Sequence, residues 1–482
     1  MTIEPFAPVH LLAVLPEILL VVLAGVLITA DLALPAARKR ELGLYAAVGF
    51  GLVLGVTLLV TLPTVSGGLI FGGMLRHDLI AFAFRVLFLF AGVVTALIAV
   101  DSPTIGKEGE FFLVLTAAVL GMNLMAAAAD LIMLYVAIEM TSIGLYALAG
   151  FLRENDKSAE SGLKYFLFGA FTSSLMLYGF SLLYGFTGQT NLYNLAAALT
   201  GLPLEASLLA LLLVLVGFGF KVSMVPFHFW APDVYEGAPT PVTAFLSVAS
   251  KAAGFAVLIR FLLAAFPGIE SIWTTLIAVI AALTMTIGNV IALTQKNIKR
   301  LLAYSSIAQA GYMLMGLAAL SANGVSAILY YLGMYTLTNL VAFGVIVLVG
   351  RVTGSDEIAD YAGLSRRSPG LALALLVAFL SLGGIPPLAG FFGKFYLFTS
   401  VMQSGLVWLA IVGLVNAIIS LYYYLIVLKV VYLGTPKDEA AVYPVPRPYQ
   451  LALWACALGV IFVGAVIGPW VNIAAAAAGG LF

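Results

Sequence analysis

The chain has 482 residues, of which 63% are hydrophobic and only 9% are charged, and its 22 basic residues balance its 22 acidic residues. An ordinary globular domain carries about 25% charged residues, so a soluble protein of this size could not cover its surface with so few charges. Disorder requires low hydrophobicity, and nucleic-acid binding requires a basic surface; the composition provides neither. The sequence therefore predicts a polytopic membrane protein whose solvent is mostly lipid.

The sequence shows no pattern of a metal, iron–sulfur or nucleotide site. Cys456 is the single cysteine, the histidines His10, His77 and His228 are scattered, and no glycine-rich phosphate loop is present. We therefore expect no cofactor in this chain itself. The first apolar run lacks the basic start of a cleaved signal and contains Glu17, so we expect it to be a retained membrane helix.

Apolar runs of about 20 residues, each long enough to cross a membrane, recur along the whole chain. Reading their ends at glycine, proline and charge clusters, we predict an all-α protein with fourteen transmembrane helices. Only a short AAAAD stretch separates α4 from α5. In chain order the helices α1 to α14 are predicted near 9–33, 43–63, 79–100, 111–127, 129–151, 162–187, 205–229, 240–265, 272–294, 301–320, 324–350, 371–402, 405–433 and 450–473.

The basic residues are distributed unevenly between the loops. Most of the 22 lie in loops that follow odd-numbered helices, among them Arg38, Arg153 and Lys299, whereas the even-numbered loops hold Arg76. The positive-inside rule then places the odd loops in the cytoplasm and both termini on the other side. A wrong helix count would remove this asymmetry, so the asymmetry supports fourteen helices.

Several charged residues lie inside the predicted helices. Lys221, Lys251 and Lys394 lie near the middle of α7, α8 and α12, Lys164 lies near the start of α6, and Glu139 lies deep in α5. A charge at the centre of a bilayer costs about 2.5–3.5 kcal/mol, so such residues are expected to pair or to face water. Stability alone would favour leucine at each position, which indicates a function.

Some of these residues also have a purely structural interpretation. Lys164 and Arg85 lie near helix ends, where a long side chain extends to the membrane surface without any function. A fixed ion pair between two helices would explain Glu139, and His228 is equally compatible with an ordinary buried histidine. The three mid-helix lysines are harder to explain in this way, because their side chains cannot easily reach the interface.

Two of the predicted helices contain proline. α7 reads GFGFKVSMVPFHFW around Pro226, and α12 reads SLGGIPPLAGFFGKFYLF around Pro386 and Pro387, with a lysine close to each break. A broken helix in lipid requires protein or water around its freed carbonyl groups. Discontinuous helices in corresponding positions of two halves indicate inverted repeats. We therefore divide the chain into residues 1–105 (α1–α3), 106–268 (α4–α8, first five-helix repeat), 269–434 (α9–α13, second inverted repeat) and 435–482 (α14).

Lysines inside a membrane suggest proton movement. A desolvated ammonium group releases its proton more readily, and a nearby carboxylate opposes this release, whereas arginine stays charged throughout. Opening a Glu139–Lys221 pair would therefore let Lys221 pass a proton through water to Lys251. We hypothesise a polar chain at mid-membrane that Lys164 helps to supply and that ends at Lys394.

Four stretches of the sequence resemble the antiporter-like subunits of respiratory complex I. FKVSMVPFHFWAPDVYEGAPTPVTAFLSVASKAAGF (220–255) closely resembles their helix 7–8 signature, and SLGGIPPLAGFFGKFYLF (381–398) is similar to their helix 12 motif. LYVAIEMTSIGLYALAGF (134–151) resembles their helix 5 glutamate motif, and EFFLVLTAAVLGMNLM (110–125) their helix 4. The resemblance covers nearly the whole chain. It implies proton-transfer roles for the pair Glu139–Lys221, the central Lys251, the terminal Lys394 and, on less specific matches, Lys164, His228, Glu110 and Glu160.

Two features favour the N-type among these paralogous subunits. The L-type carries a long lateral helix that is not found before Phe482, and the M-type has glutamate where this chain has Lys394. The resemblance implies NADH oxidation and quinone reduction coupled to proton export, with NADH, FMN, iron–sulfur clusters and quinone held by partner subunits. The expected partners are the M-type and K/J/A-type membrane-arm subunits in the inner membrane of a bacterium. Arg85 matches no family role.

Other functions stay open on the sequence. The same fold would serve a subunit of a multisubunit Na⁺/H⁺ antiporter, which needs neither NADH nor quinone. It would also serve the equivalent subunit of a ferredoxin- or formate-linked complex. A structural scaffold with static lysines is a further alternative, which substitution of Lys221 or Glu139 in the assembled complex would test.

Overall fold

The computed structural model describes residues 7, 8, 10–63, 67–436 and 443–482. Its shorter helices are His10–Ala13, Ala36–Arg38, Leu192–Leu199, Ile358–Tyr361 and Leu364–Arg367, and the strands β1 (Gly68–Ile70) and β2 (Leu75–His77) form an antiparallel hairpin. The longer helices, with the halves of the interrupted ones, are α1 (Leu15–Ala33), α2 (Glu41–Val60), α3 (Leu79–Ala99), α4 (Gly109–Ala127), α5 (Leu131–Ala149), α6 (Asp156–Thr187), α7a (Leu204–Val222), α7b (Trp230–Gly237), α8 (Thr240–Ala265), α9 (Glu270–Ala292), α10 (Ile298–Ala318), α11 (Ala322–Thr353), α12a (Pro369–Gly383), α12b (Ala389–Gln403), α13 (Val407–Leu433), α14a (Arg447–Ala465) and α14b (Gly468–Gly479).

This architecture confirms the prediction of an all-α polytopic membrane protein. Among the described residues, 13 helices are long and apolar enough to cross a membrane. α12 is not one of them because each of its halves has only 15 residues. The short AAAAD stretch does separate α4 from α5, since the side chain of Asp130 accepts hydrogen bonds from the amides of Ile132 and Met133 and so begins α5.

Several helices begin earlier than the sequence predicted, and two of these begin at an asparagine cap. The side chain of Asn155 caps α6, which therefore starts at Asp156, and the side chain of Asn297 caps α10, which starts at Ile298. The sequence assigned both regions to loops because they are rich in charge. The placement of Lys299 in a loop is therefore wrong: the residue lies in the first turn of α10 and is buried.

The helices form a buried centre and an apolar periphery. α8 is buried on all sides, and α10 and α11 are nearly so. α1, α2, α6 and α13 expose large apolar side chains, for example Leu52, Phe171 and Ile418. Because lipid or apolar protein surfaces must cover such helices, the polar chemistry of the molecule is confined to its centre and to its two ends.

Both proline-containing helices are interrupted in a similar way. α7a ends at Val222 and is followed by Ser223 in the left-handed conformation (φ +59°), and α12a ends at Gly383 and is followed by Gly384 (φ +84°). In each case the amide of the left-handed residue closes the helix on carbonyl groups of its last turn. The two breaks thus leave helix ends inside the molecule, and the interruption of both helices confirms the sequence prediction.

Buried arginines hold the N-terminal helices and the hairpin in place. Arg85 of α3 forms an ion pair with Glu17 of α1 at 2.8 Å, and Arg260 of α8 contacts both carboxylate oxygens of Asp78 at 2.8 Å. Burial alone would raise the pKa of Asp78, but Arg260 and Arg76 outweigh it, so this pKa lies below its ordinary value. The guanidinium group of Arg85 therefore pairs with the carboxylate of Glu17 inside the protein and does not extend to the membrane surface.

Candidate functional site

Glu139 and Lys221 lie on neighbouring helices but form no direct ion pair in the part of the chain that the structure describes. Lys221, in the last turn of α7a and only 4% exposed, donates a hydrogen bond to Ser142 Oγ at 2.5 Å. Ser142 lies one turn after Glu139 on α5, and Glu139 accepts a hydrogen bond from Ser173 of α6. The charge of Glu139 still acts on Lys221 through space. The direct pair that the resemblance implies is therefore replaced by contacts of both groups with serine hydroxyls.

Lys251 lies immediately after an irregular turn in α8. Residues Leu246–Ser250 form a π-helical turn, a feature that is frequent at functional sites. The side chain of Lys251 is 1% exposed, and its ammonium group donates a hydrogen bond to the backbone oxygen of Ser306 in α10 at 2.7 Å. Lys251 thus connects α8 to the buried face of α10.

Gly254 allows α8 to approach α7a beside Lys221. A Cβ atom at Gly254 would lie 2.8 Å from Val222 Cγ1 and 3.1 Å from Lys221 Cβ. Because Gly254 follows Lys251 by three residues, both lie on one side of α8. The missing side chain therefore brings the helices of Lys221 and Lys251 into backbone contact.

Buried polar atoms without a hydrogen-bond partner surround the break in α7. Among the described residues these include the hydroxyls of Tyr165, Ser223 and Ser250 and Nδ1 of His228. Tyr165 lies close enough to Ser250 to interact with it, and the charge of Lys251 reaches His228. Buried polar groups normally have a protein or water partner, so these atoms define a polar region between Lys221 and Lys251 that water would satisfy.

Lys394 lies in α12b and fills the break in α12. Its ammonium group donates hydrogen bonds to the backbone oxygens of Leu382 at 2.9 Å and Gly383 at 3.4 Å, which are carbonyl groups left free at the end of α12a. It also lies 5.0 Å from the centroid of the Tyr312 ring. A Cβ atom at Gly384 would lie 3.2 Å from Lys394 Cδ, so this position requires glycine for space as well as for its backbone conformation.

A hydrogen-bonded chain of side chains connects the surroundings of Lys251 and Lys394. The side-chain amide of Gln309 in α10 donates to the Tyr424 hydroxyl and to the backbone oxygen of Leu382, both at 3.4 Å. Lys394 donates to the same Leu382 oxygen. Tyr424 is hydrogen-bonded to Ser305, which precedes the Ser306 carbonyl that accepts from Lys251. Tyr331 donates to the other end of the Gln309 side chain. α10 therefore carries polar contacts from one lysine to the other.

Sequence reasoning missed this connection. Ser305, Gln309 and Tyr424 are uncharged and occur in helices whose composition is otherwise apolar, so they attract no attention in a search for charges. The available signal was the SSIAQ stretch of α10, because hydroxyl and amide side chains inside a membrane helix normally bond to neighbouring helices.

The remaining candidate residues lie at the ends of helices. Lys164 forms ion pairs with Asp233 of α7b at 2.6 Å and with Glu160 at 2.7 Å, and Arg300 also contacts Asp233 at 2.8 Å. Burial opposes ionisation of Asp233, but the contacts with Lys164 and Arg300 are stronger, so the pKa of this carboxyl lies below its ordinary value. Lys164 is therefore a member of an ion-pair cluster and not an isolated side chain. Glu110 is exposed in the first turn of α4.

The ion-pair cluster lines a cavity of about 130 Å³ near the N-terminal end of α6. Glu236 of α7b extends the cluster through contacts at 3.0 Å with Lys157 and with Arg300. The described residues contain no group of three or more His, Cys, Asp and Glu side chains that could hold a metal ion. The charged cavity and the buried lysines are thus the two polar features that the candidate residues build.

Comparison with known proteins places this arrangement in a family. The family model described as "NADH:quinone oxidoreductase/Mrp antiporter, TM" matches residues 128–420. The chain belongs to this family. The matched residues include Glu139, Lys221, Lys251 and Lys394, and the resemblance drawn from the sequence motifs is confirmed.

Known proteins resemble this chain over most of their length. "NADH-quinone oxidoreductase subunit N" of Heliobacterium modesticaldum is 48% identical over 403 residues, which cover 83% of this chain and 84% of the relative. A chain of respiratory complex I from Thermus thermophilus with bound Aureothin is 35% identical, with a TM-score of 0.81 over 95% of this chain and 99% of that chain. A chain of the Mrp complex from Dietzia sp. DQ12-45-1b has a TM-score of 0.83 over 97% of each chain but is only 22% identical, which shows a common fold.

Proposed function

We propose that this member of the NADH:quinone oxidoreductase/Mrp antiporter family is a proton-translocating membrane-arm subunit of an NADH:quinone oxidoreductase, equivalent to the N-type subunits. The observation that carries the proposal is the polar interior: lysines on three separate helices each donate a hydrogen bond to an uncharged oxygen of a buried residue. The similarity to relatives of this name and to a chain of a complex I structure supports it. Other membrane-arm subunits are then its partners in a large complex.

Proton transfer in this chain would use the lysine side chains in sequence. Lys221 and Lys251 would exchange a proton across the polar region at the break of α7, where water would bridge the unpartnered hydroxyls and His228. The chain through Ser305, Tyr424 and Gln309 then leads to Lys394. Lysine suits each position because it exists as ammonium or amine, whereas arginine keeps its proton.

The free energy required is within the range that such sites supply. Moving one elementary charge against 100 mV costs about 2.3 kcal/mol, and one pKa unit corresponds to about 1.4 kcal/mol. A change of roughly two pKa units at a lysine, caused by the approach or withdrawal of a carboxylate such as Glu139, is therefore sufficient. No redox chemistry occurs in this chain: NADH, FMN, iron–sulfur clusters and quinone bind to partner subunits.

The proposed orientation follows from the distribution of basic residues. The ion-pair cluster of Lys164, Asp233 and Arg300 lies at helix ends that adjoin the basic odd-numbered loops, so it faces the cytoplasm and supplies protons to the interior. Both termini lie on the opposite side of a bacterial inner membrane. A sodium-linked antiporter is the less supported alternative, because the Mrp chain shares the fold at low sequence identity.

The test is substitution of the lysine chain in the assembled complex. Lys221→Met and Glu139→Gln are compared with Lys429→Met, which removes an exposed lysine near the end of α13. Proton pumping by NADH-energised inverted membrane vesicles is measured with a pH-sensitive dye, and native gels verify assembly. The central variants are expected to lower pumping roughly tenfold or more, and the control is expected to leave it unchanged. Normal pumping by assembled Lys221→Met and Glu139→Gln complexes would refute the proposal in favour of a static scaffold.

A further inference from the structure

Lys299 is a buried lysine that the chain from Lys221 to Lys394 does not use. It lies in the first turn of α10, and its side chain is only 5% exposed. Its ammonium group donates to the backbone oxygen of Ala238, between α7b and α8, at 3.0 Å, and it lies 3.5 Å from the carboxylate of Asp356. Burial of a charged group at this depth needs an explanation, because an uncharged side chain would fill the space at lower cost.

The backbone holds Asp356 against the start of α10. The amide of Ile298 donates to the backbone oxygen of Asp356 at 2.8 Å, and the amide of Ile358 donates to the backbone oxygen of Lys296 at 2.9 Å. Asn297 and Glu357 form an antiparallel bridge between these two bonds. The segment after α11 is thereby paired with the residues that begin α10. The Asp356 carboxylate is thus fixed beside Lys299 by main-chain contacts and not by a flexible loop.

Exposure falls steadily from Asp356 into the protein. The Asp356 side chain is 28% exposed, Lys299 is 5% exposed, and Ser306, two helical turns further along α10, is fully buried. Lys251 donates to the backbone oxygen of the same Ser306. Asp356 and Lys299 therefore stand between solvent and the lysine chain, at a distance of about 10 Å along the helix from Ser306.

Buried hydroxyl groups lie near both ends of this distance, one close to Asp356 and two close to Ser306. In the described part of the chain, the hydroxyls of Tyr361 and Tyr335 are buried and have no hydrogen-bond partner. Tyr361 lies within electrostatic reach of Asp356, and Tyr335 lies close to Ser306. Tyr235 adds a hydroxyl that accepts from Ser306 Oγ at 3.4 Å. Water molecules that satisfy these hydroxyls would connect Lys299 to Ser306 and Lys251.

The charged groups around Lys299 come from three other elements of the fold. Asp356 is its carboxylate partner, and Glu236 and Lys157 act on it electrostatically from α7b and α6. The adjacent Arg300 is bound to Asp233 and Glu236 and does not release protons. Lys299 is thus a buried group near the lysine chain that has both a partly exposed carboxylate partner and an exchangeable proton.

We propose that Asp356 and Lys299 form a proton uptake site that supplies Lys251 from the end of α10. Asp356 takes a proton from water, transfers it to the neutral amine of Lys299, and is left as carboxylate. The Lys299 ammonium then releases one proton through the tyrosine and serine hydroxyls to the neutral amine of Lys251. One proton moves at each step, and no electron is exchanged. The inference rests on the proposed proton-translocating function.

The experiment separates proton transfer from structural support. Lys299→Arg keeps the charge and a donor for the Ala238 oxygen but cannot release a proton, and Asp356→Asn keeps the shape of the carboxylate without its ability to carry a proton. Lys429→Arg is the matched control at an exposed lysine. Each variant is introduced into the whole complex, and protons pumped per NADH oxidised are measured in inverted vesicles after native gels verify assembly.

Both Lys299→Arg and Asp356→Asn are expected to lower pumping roughly tenfold, with normal assembly and an unchanged control. A structural role would be rescued by arginine, so wild-type pumping by assembled Lys299→Arg overturns the inference. If that variant does not assemble, Asp356→Asn decides in the same way. Lys251→Met, measured in parallel, distinguishes the two claims: normal pumping by it refutes the lysine chain itself. If Lys251→Met loses pumping while Lys299→Arg and Asp356→Asn pump normally, the uptake site is refuted and the lysine chain is retained.

Discussion

The interior cations of this protein differ in the kind of partner that they have. Arg85 and Arg260 are each bound to a buried carboxylate, Glu17 and Asp78 respectively. The lysines of the central chain instead donate to neutral oxygens, namely a serine hydroxyl and backbone carbonyls. An ammonium group held by neutral oxygens can lose its proton without leaving an unpaired carboxylate behind, whereas an arginine–carboxylate pair is permanent. The arginines thus stabilise the fold, and the lysines are free to change their protonation state.

Tyr424 provides a test of the chain between Lys251 and Lys394 at the level of one atom. Tyr424→Phe removes the hydroxyl that contacts Ser305 and Gln309 while keeping the ring that packs against Phe379. We expect proton pumping to fall severalfold because the hydrogen-bonded chain is interrupted. Stability should fall by about 1–3 kcal/mol, because the hydrogen bonds to Ser305 and Gln309 are both lost.

A tyrosine outside the lysine chain supplies the control for this prediction. Tyr330 of α11 is also buried, and its hydroxyl donates to the backbone oxygen of Val463 in α14a at 3.2 Å. Tyr330→Phe should therefore cost about 1 kcal/mol of stability and leave pumping unchanged. Equal pumping by the two phenylalanine variants would contradict a role of Tyr424 in proton transfer.

At the scale of elements, both broken helices combine a lysine, a nearby glycine and a left-handed residue. Gly254 lies against Val222 and Lys221, and Gly384 lies against Lys394, so each lysine packs beside a glycine. The left-handed conformation at Ser223 and at Gly384 ends one half of each helix inside the molecule. The resulting free carbonyls and the space beside them create a polar site where an intact helix would present only apolar side chains.

Gly254→Ala should disturb the contact between α7a and α8. The new methyl group would lie 2.8 Å from Val222 Cγ1, so the helices must separate, at a cost of about 1–3 kcal/mol. We expect the assembled complex to be lost at a lower temperature when membranes are heated and then analysed on native gels. We also expect reduced pumping, because Lys221 is displaced.

Gly25→Ala in α1 is the matched substitution, because a Cβ atom at Gly25 meets nothing within 4 Å. It should leave both thermal stability and pumping at or above wild type, since alanine is the better helix former by about 1 kcal/mol. A Gly254→Ala complex as stable as the Gly25→Ala complex would show that the two helices are not closely packed at this point.

The sequence predicted the helices and their breaks well because these follow from local rules. Apolar length sets the helices, and Pro226, Pro386 and Pro387 set the breaks. Contacts between distant residues were not predictable in the same way. Whether Lys221 contacts Glu139 or Ser142 depends on the rotation of α5 against α7a, and neither periodicity nor composition determines that rotation. The burial of Lys299 was missed for a related reason, since its partner Asp356 is brought to it only by the segment after α11.

At the scale of the whole molecule, charge and apolar surface are separated into zones. Large apolar side chains cover the outside of α1, α2, α6 and α13, the polar chain crosses the centre, and ion pairs occupy the helix ends. Such a molecule is stable only if one set of loops faces each side of the membrane, because the loops carry the charges that lipid excludes. The uneven distribution of basic residues then determines which side each set faces.

Cysteine labelling provides a test of this orientation, because the natural Cys456 is fully buried and can be replaced by alanine. In that background, single cysteines at Arg153, after α5, and at Gly268, after α8, are both in exposed positions. A membrane-impermeant maleimide should label Arg153→Cys in inverted vesicles and Gly268→Cys only in right-side-out vesicles. Phe482→Cys should behave like Gly268→Cys, since fourteen crossings return the chain to the side on which it began. Labelling of Phe482→Cys from the same side as Arg153→Cys would mean that the broken α12 does not cross the membrane.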